Sequence, residues 1–429
     1  MMDFSFSQAY HGPMVRYLPR IVDPEIEHSL TIAGAVEVRG PRPVGKTESA
    51  RRLAASELRL DSSDPRAALA RAQPATALEG STPRLLDEWQ LVPQLWNEVR
   101  HAVDDRREPG QFLLSGSAIP DDDALRHPGA GRVRRTQMRT MTLAESGEST
   151  GAVSLRALLA GDGAPMAESE STFLDVIARI VSGGWPGWIG VSDDAALARA
   201  RDYMNDISEH DFAQVAGSRR DPRRFLALAR ALAALVAQPA TYAAMTKRIA
   251  EDASVSVGAA TVPILHGLAE RIFIIEDQPA WSPRLRSRTA AQQTPKRHLA
   301  DPSLAAALLG ASTDRLLADP ETLGFLFESQ VVHDLRVYAQ SAGARGVFHY
   351  RDAKGRDEID VIVEAADGEW LAIEVKLGQG SVDAASTNLI RIGDKFVKPP
   401  RERIVVVPTG IAHRRTDGTL IVPLTVLGA

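Results

Sequence analysis

The sequence predicts an α/β protein built from successive units, and three observations carry that expectation. An apolar stretch (residues 30–38) runs into Gly40-Pro41-Arg42-Pro43-Val44-Gly45-Lys46-Thr47, and a helix-like run (48–58) follows. Pro83-Arg84-Leu85-Leu86-Asp87-Glu88 is a short apolar run that ends in two adjacent acids. Far downstream, Asp360 precedes Glu374-Val375-Lys376 among alternating strand-like and helix-like segments.

The first of these fits G-x-x-x-x-G-K-[ST], the phosphate-cradling P-loop. Glycines let the backbone wrap close to an anion, with successive N–H groups turned inward. The expected cradle is Gly40, Pro41, Arg42, Val44, Gly45, Lys46, Thr47 and Glu48. Lys46 would reach the β/γ-phosphates of a nucleoside triphosphate, taken as ATP, and the Thr47 hydroxyl would ligate its Mg²⁺. In the second run Asp87 is expected to hold the same Mg²⁺, with Glu88 polarising the water that attacks the γ-phosphate. A third strand (111–114) leads into Ser115-Gly116-Ser117, where Ser117 or Ser115 suits a sensor of the γ-phosphate or the water. Three polar sites at strand ends match an ASCE-type P-loop NTPase parallel sheet, because ligands collect at the carboxyl ends of parallel strands.

Composition sets the outer limits. A length of 429 residues suggests about three domains. With 44% hydrophobic and 24% charged residues, the chain has the make-up of a soluble globular protein. The absence of cysteine excludes disulfides and thiolate metal sites, and the histidines lack ligand spacing. No apolar run approaches the roughly 18 residues of a membrane span, so no membrane partner is expected. Residues 1–5 lack a basic and apolar leader, which makes the expected location cytoplasmic. A net charge of −5 argues against a uniformly basic nucleic-acid binder.

Residues 1–150 therefore read as the ATPase domain, with the Ala-rich stretch 61–82 as a loosely packed connection. Residues 151–220 read as a linker and helical connection: 145–170 is rich in Gly, Ala, Ser and Glu, interrupted by a short helix (153–159). Helical periodicity over 173–181 stops at Gly183-Gly184-Trp185-Pro186-Gly187. Residues 221–285 carry helices over 223–237, 242–249 and 258–270, then a β-like run at 272–275. That is the order of a winged-helix-like module. Its third helix is nearly uncharged, which favours packing over DNA readout. Arg284, Arg286, Arg288, Lys296 and Arg297 form one basic cluster, and Arg132, Arg134, Arg135 and Arg139 another. Both read first as solvated faces and second as phosphate-contacting surfaces.

Residues 286–429 give a helix (323–338) with Glu328, strands over 347–350, 358–364 and 370–376, a helix (384–390) and a strand (404–407). Glu374 and Lys376 share one strand face. Asp360 with Glu374 and Lys376 has the spacing of a PD-(D/E)-x-K nuclease core: two carboxylates for a second Mg²⁺, and a lysine that orients or deprotonates water. Glu328 is a further candidate ligand.

Nearly the whole chain resembles the prokaryotic AAA-like P-loop ATPases that carry a C-terminal domain of unknown function. The resemblance rests on residues 40–47, Leu85-Leu86-Asp87-Glu88, Ser115-Gly116-Ser117, Gly131-Arg132 before Leu143-Ala144-Glu145, and Gly183-Gly184-Trp185-Pro186. It continues through Asp206-Ile207, His298-Leu299-Ala300-Asp301-Pro302, residues 324–335, Asp360 and Glu374-Val375-Lys376. It implies a winged-helix-like middle, a restriction-endonuclease-like C-terminal domain, and an arginine finger at Arg132, in cis or in trans. Pro43 departs from the pattern, since it removes one potential phosphate donor. Two functions follow: an ATP-hydrolysing protein whose nuclease-like domain acts on DNA or RNA, or a nucleotide-dependent regulatory protein with a partner protein, of the toxin–antitoxin or defence kind, whose nuclease-like fold is silent.

Overall fold

The computed structural model describes residues 17–120, 129–212, 221–251, 255–283, 293–352 and 354–429; Arg284, Arg286 and Arg288 lie outside them. The N-terminal sheet contains β1 (Ala35–Arg39), β2 (Ser56–Arg59), β3 (Arg84–Asp87), β4 (Phe112–Gly116) and β5 (Val133–Gln137). All are parallel, in the order β2-β3-β4-β1-β5. A parallel sheet is covered on both faces, which explains the apolar runs Leu85-Leu86 and Phe112-Leu113-Leu114, all fully buried. Because β4 lies between β1 and β3, its serines sit between the P-loop and the acid pair.

Three boundaries differ from the sequence expectation. Residues 30–32 end a helix, Asp23–Ile32, so the first strand starts only at Ala35. The helix after the P-loop is Lys46–Leu53, and Leu58 belongs to β2, where it enters the second core. The stretch 61–82 is a packed element: a helix, Pro65–Ala72, capped by the Asp64 carboxylate, then a 3₁₀ turn, Pro74–Leu78. Its alanines are what let it pack, since Ala67, Ala70 and Ala77 are fully buried beside Trp89 and Leu95.

The middle region contains helices Phe173–Ser182 and Asp193–Asp206, the latter running into a π-helical turn, Ile207–Asp211, and then Pro222–Ala234, Tyr242–Glu251 and Val262–Arg271. No regular strand follows at 272–275. Residues 274–278 instead pair with 296–300 through isolated bridges, and 236–239 joins the other side. The Gln278 N–H donates to the Lys296 carbonyl at 2.9 Å, and the Lys296 N–H returns a bond to the Gln278 carbonyl at 3.0 Å. Helix Val262–Arg271 is turned inward, with Val262, Leu265, His266, Leu268 and Ala269 buried.

The expected linker is part of the C-terminal fold. β6 (Val153–Ser154) pairs in parallel with β14 (Leu427–Gly428). β7 (Ala167–Glu168) forms the edge of a seven-stranded sheet with β8 (Gly346–Arg351), β9 (Glu358–Glu364), β10 (Trp370–Val375), β11 (Glu402–Val407), β12 (Ile411–Arg414) and β13 (Leu420–Pro423), in the order β7-β12-β13-β11-β10-β9-β8. Two-residue strands carry no alternation signal, which is why composition alone hid them. Helix Pro320–Ser341 packs on this sheet, and Val382–Gly393 connects β10 to the parallel β11. Among the described residues no helix is long and apolar enough to cross a membrane.

A clasp at 139–143 holds the regions together. The Arg139 guanidinium grips Glu276, with Nε donating at 2.8 Å; Thr140 Oγ1 donates to Asp301 Oδ2 at 2.6 Å; and the Leu143 N–H donates to Asp334 Oδ2 at 3.0 Å.

Candidate functional site

The carboxyl ends of β1, β3 and β4 converge as the strand order requires. Gly40 and Gly45 have φ of 155° and 97°, and a Cβ on Gly40 would lie 2.0 Å from the Met138 carbonyl oxygen, so the loop backbone needs glycine there. Lys46 is buried, its ammonium donating to the carbonyls of Gly40 (2.9 Å) and Pro41 (2.8 Å). Burial lowers its pKa to about 8, against the pull of nearby Glu88. Thr47 Oγ1 donates to Asp87 Oδ1 at 2.8 Å, and Ser115 Oγ donates to the same oxygen. The Asp87 carboxyl is raised by burial, with two neutral hydroxyls as its hydrogen-bond donors.

Glu88 follows in the left-handed region at φ 56°, a conformation that costs a non-glycine residue on the order of 1 kcal/mol or more. Ser117 Oγ donates to Glu88 Oε2 at 3.3 Å, and the Gln90 amide donates to the same oxygen. Arg42, from the P-loop itself, bridges Glu88 Oε2 (2.9 Å) and Asp211 Oδ1 (3.0 Å). Burial opposes the Glu88 charge, but Arg42 outweighs it and holds the carboxyl below its usual range. Beside Gly45 a cavity of about 430 Å³ opens between Tyr17, Leu18, Met138, Met141 and Pro186.

Ser115 and Ser117 thus reach both acids, one each. Glu48 lines the cavity and pairs with Arg51 at 2.5 Å. Arg132 is not brought to this site. It precedes β5 at Val133, which pairs beside Ala35 at the start of β1, so it sits at the opposite end of the sheet, about 15 Å away at 3.3 Å per residue. There Arg132 Nε donates to Asp104 Oδ1 at 2.8 Å. Gln90 and Asp211 were not anticipated. Gln90 lies two residues past Glu88, a local cue, whereas Asp211 comes from the π-helical turn, more than 100 residues later, with no sequence mark.

Among the described residues, the members of the two basic clusters are engaged within the chain. Arg139, Lys296 and Arg297 are spent in ion pairs or buried, and Arg134 and Arg135 bond to Ser29 and Glu37.

A second acid cluster lies on β9 and β10. Their antiparallel register sets Ile373 beside Val361, so Glu374 and Asp360 come next and face each other. Lys376 Nζ lies 2.6 Å from Glu374 Oε2 and 3.2 Å from Asp360 Oδ2. The Val375 N–H donates to Asp360 Oδ2 at 3.0 Å, and Asn388 Nδ2 to Glu374 Oε1 at 3.2 Å. On the other side Lys296 Nζ meets Glu328 Oε1 (2.7 Å), Glu358 Oε1 (3.3 Å) and Asp360 Oδ1 (3.4 Å). Burial raises Glu328 to about 7 against the pull of Lys296. Burial and then the Asp360 charge push Glu374 up, while Lys296 and Lys376 hold Asp360 down against burial. All the expected residues converge, and two ammonium groups meet their charge: Lys376 between Asp360 and Glu374, and Lys296 between Glu328 and Asp360. A cation held by Glu328 and Asp360 together would take the place of the Lys296 ammonium.

Residues 33–146 match the family model described as an AAA domain, residues 174–315 a domain of unknown function (DUF8612), and residues 323–427 another (DUF4143). Uncharacterized proteins of Mycobacterium bovis and Mycobacterium tuberculosis are each 34% identical over 128 residues, 29% of this chain and 29% of the relative. Among solved structures, a Walker-type ATPase of Pyrococcus abyssi overlaps 70% of this chain and 99% of its own length at TM-score 0.44 and 14% identity. Cdc6p of Pyrobaculum aerophilum overlaps 70% and 96% at TM-score 0.23 and 14% identity. By its match to that family model, the region 33–146 is an AAA-like P-loop domain.

Proposed function

We propose that this protein binds Mg²⁺·ATP at residues 40–47 and hydrolyses it. The observation that carries this is the convergence of Lys46 and Thr47, at the start of one helix, with Asp87 and Glu88, at the end of β3, around one loop. Bound Mg²⁺·ATP supplies the reactive phosphorus and the counter-charge for its oxygens. The chain's own part is defined by the contacts above. Lys46 exchanges two carbonyl partners for phosphate oxygens, while Thr47 and Asp87, already hydrogen-bonded, share a point where a hard cation takes oxygen ligands. Glu88, released from Arg42, accepts the proton of a water. The cavity beside Gly45 takes the base, between the Tyr17 ring and the Met138 and Met141 side chains.

Two substitutions test this. Lys46→Ala should weaken ATP binding roughly a hundredfold, the worth of a charge-assisted contact. Glu88→Gln should keep ATP binding and lower turnover by about 10² to 10⁴. Calorimetry showing unchanged ATP affinity in folded Lys46→Ala would sink the assignment.

A second reading concerns the C-terminal region. The order α-β-β-β-α-β and the meeting of Asp360, Glu374 and Lys376 support a restriction-endonuclease-like fold acting on nucleic acid, with Glu328 as a further ligand. The bridges joining residues 236–239, 274–278 and 296–300 after three helices support a winged-helix-like middle. Mg²⁺-dependent nicking of single- and double-stranded DNA and RNA, with and without ATP, tests it. No cleavage under any condition would favour the alternative, a nucleotide-dependent regulatory protein with a silent fold.

A further inference from the structure

Lys296 belongs to the middle region by its backbone and to the C-terminal site by its side chain. Its N–H and C=O pair with Gln278. Gln278 is itself fully buried, and its amide donates to the Asp360 carbonyl at 3.1 Å and the Phe348 carbonyl at 2.9 Å. The same strand of bridges continues into the C-terminal sheet, where the Trp281 N–H donates to the His349 carbonyl at 2.7 Å. The ammonium, only 2% exposed, lies among Glu328, Glu358 and Asp360. At 2.7 to 3.4 Å it contacts them directly, and a buried charge is retained only where others meet it.

We infer that Lys296 is a tethered cation which excludes a divalent ion from the Glu328–Asp360 pair, so that metal is seated between those two carboxylates only when the 274–278/296–300 ladder is withdrawn. This rests on reading Asp360, Glu374 and Glu328 as metal ligands. An ammonium 2.7 Å from Glu328 and 3.4 Å from Asp360 occupies the space between their oxygens, and a Mg²⁺ or Mn²⁺ ion needs those oxygens at roughly 2.1 Å. Both cations cannot be seated together. The ladder is joined to the ATPase domain through Glu276, which pairs with Arg139 just past β5 and whose N–H donates to the His298 carbonyl at 3.1 Å. A shift in the ATPase domain therefore has a covalent and ionic route to Lys296.

The test is Mn²⁺ binding to the full chain without nucleotide, followed by calorimetry and by the melting temperature. In the unmutated protein no Asp360-dependent Mn²⁺ site should be found at millimolar ion. Lys296→Met, similar in length but uncharged, should gain one Mn²⁺ site at least tenfold tighter. Its melting temperature should be low in chelator and recover on adding Mn²⁺. Adding Asp360→Asn should erase both effects. If the unmutated protein binds Mn²⁺ through Asp360 as tightly as the variant, the exclusion is wrong though the metal site is real. If neither protein binds, the metal-ligand reading fails and the inference with it. Should Lys296→Met not fold even with Mn²⁺, hydrogen exchange on the unmutated chain decides. Mn²⁺ bound through Asp360 without faster exchange at the Gln278–Lys296 ladder overturns the proposal. Asp360-dependent binding above millimolar Mn²⁺ that loosens the ladder upholds it, and no Asp360-dependent binding at any Mn²⁺ concentration ends the metal-ligand reading and the inference with it.

Discussion

The molecule contains two buried acid sites, and they are neutralised by opposite means. Asp87 is held by the hydroxyls of Thr47 and Ser115, and Glu88 by Ser117, Gln90 and a half-exposed arginine. Asp360 and Glu374 are held by two lysine ammonium groups, one of them almost fully buried. Hydroxyls orient Asp87 without cancelling its charge, so that carboxylate keeps its attraction for a cation, with Arg59 no nearer than 3.9 Å and Arg42 engaged by Glu88. Full counter-charges cancel that attraction, and the second site is saturated from within. The difference lies in what is already bonded to the acids, since both sets are well placed.

The contrast is broken most directly by neutralising one acid in each site. Asp360→Asn leaves Lys296 and Lys376 short of a partner and should cost the C-terminal region about 3 kcal/mol. Asp87→Asn removes a burial-strained charge whose hydrogen-bond donors are neutral, and should change the stability of the nucleotide-free protein by under about 1 kcal/mol. Regional hydrogen exchange reads both, because one melting curve does not separate the parts of a multidomain chain. Equal losses would mean that the two sites are alike after all.

A smaller effect follows from Lys46, whose folded pKa is lowered to about 8. Phosphate oxygens favour the ammonium form, so below that pH the free protein is already charged and affinity is level. Above it each binding event must take up a proton, and ATP affinity should fall by up to tenfold per pH unit. Calorimetry in two buffers of different ionisation enthalpy should show proton uptake at pH 9 and little at pH 7. Uptake that is absent at both would place the Lys46 titration elsewhere.

The smallest effect concerns Arg42. Asp211→Asn removes one of its two carboxylate partners and should free it for phosphate, tightening ATP binding a few-fold, in keeping with a half-exposed ion pair. Weaker ATP binding in that variant would make Asp211 part of the nucleotide site itself.

The parts visible in the sequence are those fixed by local chemistry. The P-loop, the Asp87-Glu88 pair and the β10 run with Glu374 and Lys376 all lie within a few residues of the strand or turn that positions them. Strand order then placed Ser115 and Ser117, because a polar residue ending a parallel strand can face only one edge of the sheet. The same rule, applied to Arg132, which directly precedes a strand, sets it at the opposite end of the sheet from the P-loop of its own chain. Lys296 was visible as a basic residue, but its role depends on partners 32 and 64 positions away, Glu328 and Asp360. Asp211 depends on a π-helical turn that no composition marks. The 145–170 stretch reads as a linker because β6 and β7 are two residues each, too short to show alternation.

The pairing of β6 with β14 sets a schedule for the folding of this chain during synthesis. Every strand of the ATPase sheet lies between residues 35 and 137, so that sheet closes early and locally. Ser149 Oγ instead donates to the Leu427 carbonyl, 278 residues further on. At the usual 5–20 residues per second, on the order of fifteen to sixty seconds separate the two halves of that contact. Throughout that interval the β1–β5 sheet can close while β6 and β7 wait for their partners, and Pro186 and Asp211 join its site as they are made. The β1–β5 sheet and its loop are therefore in place well before the second acid site exists.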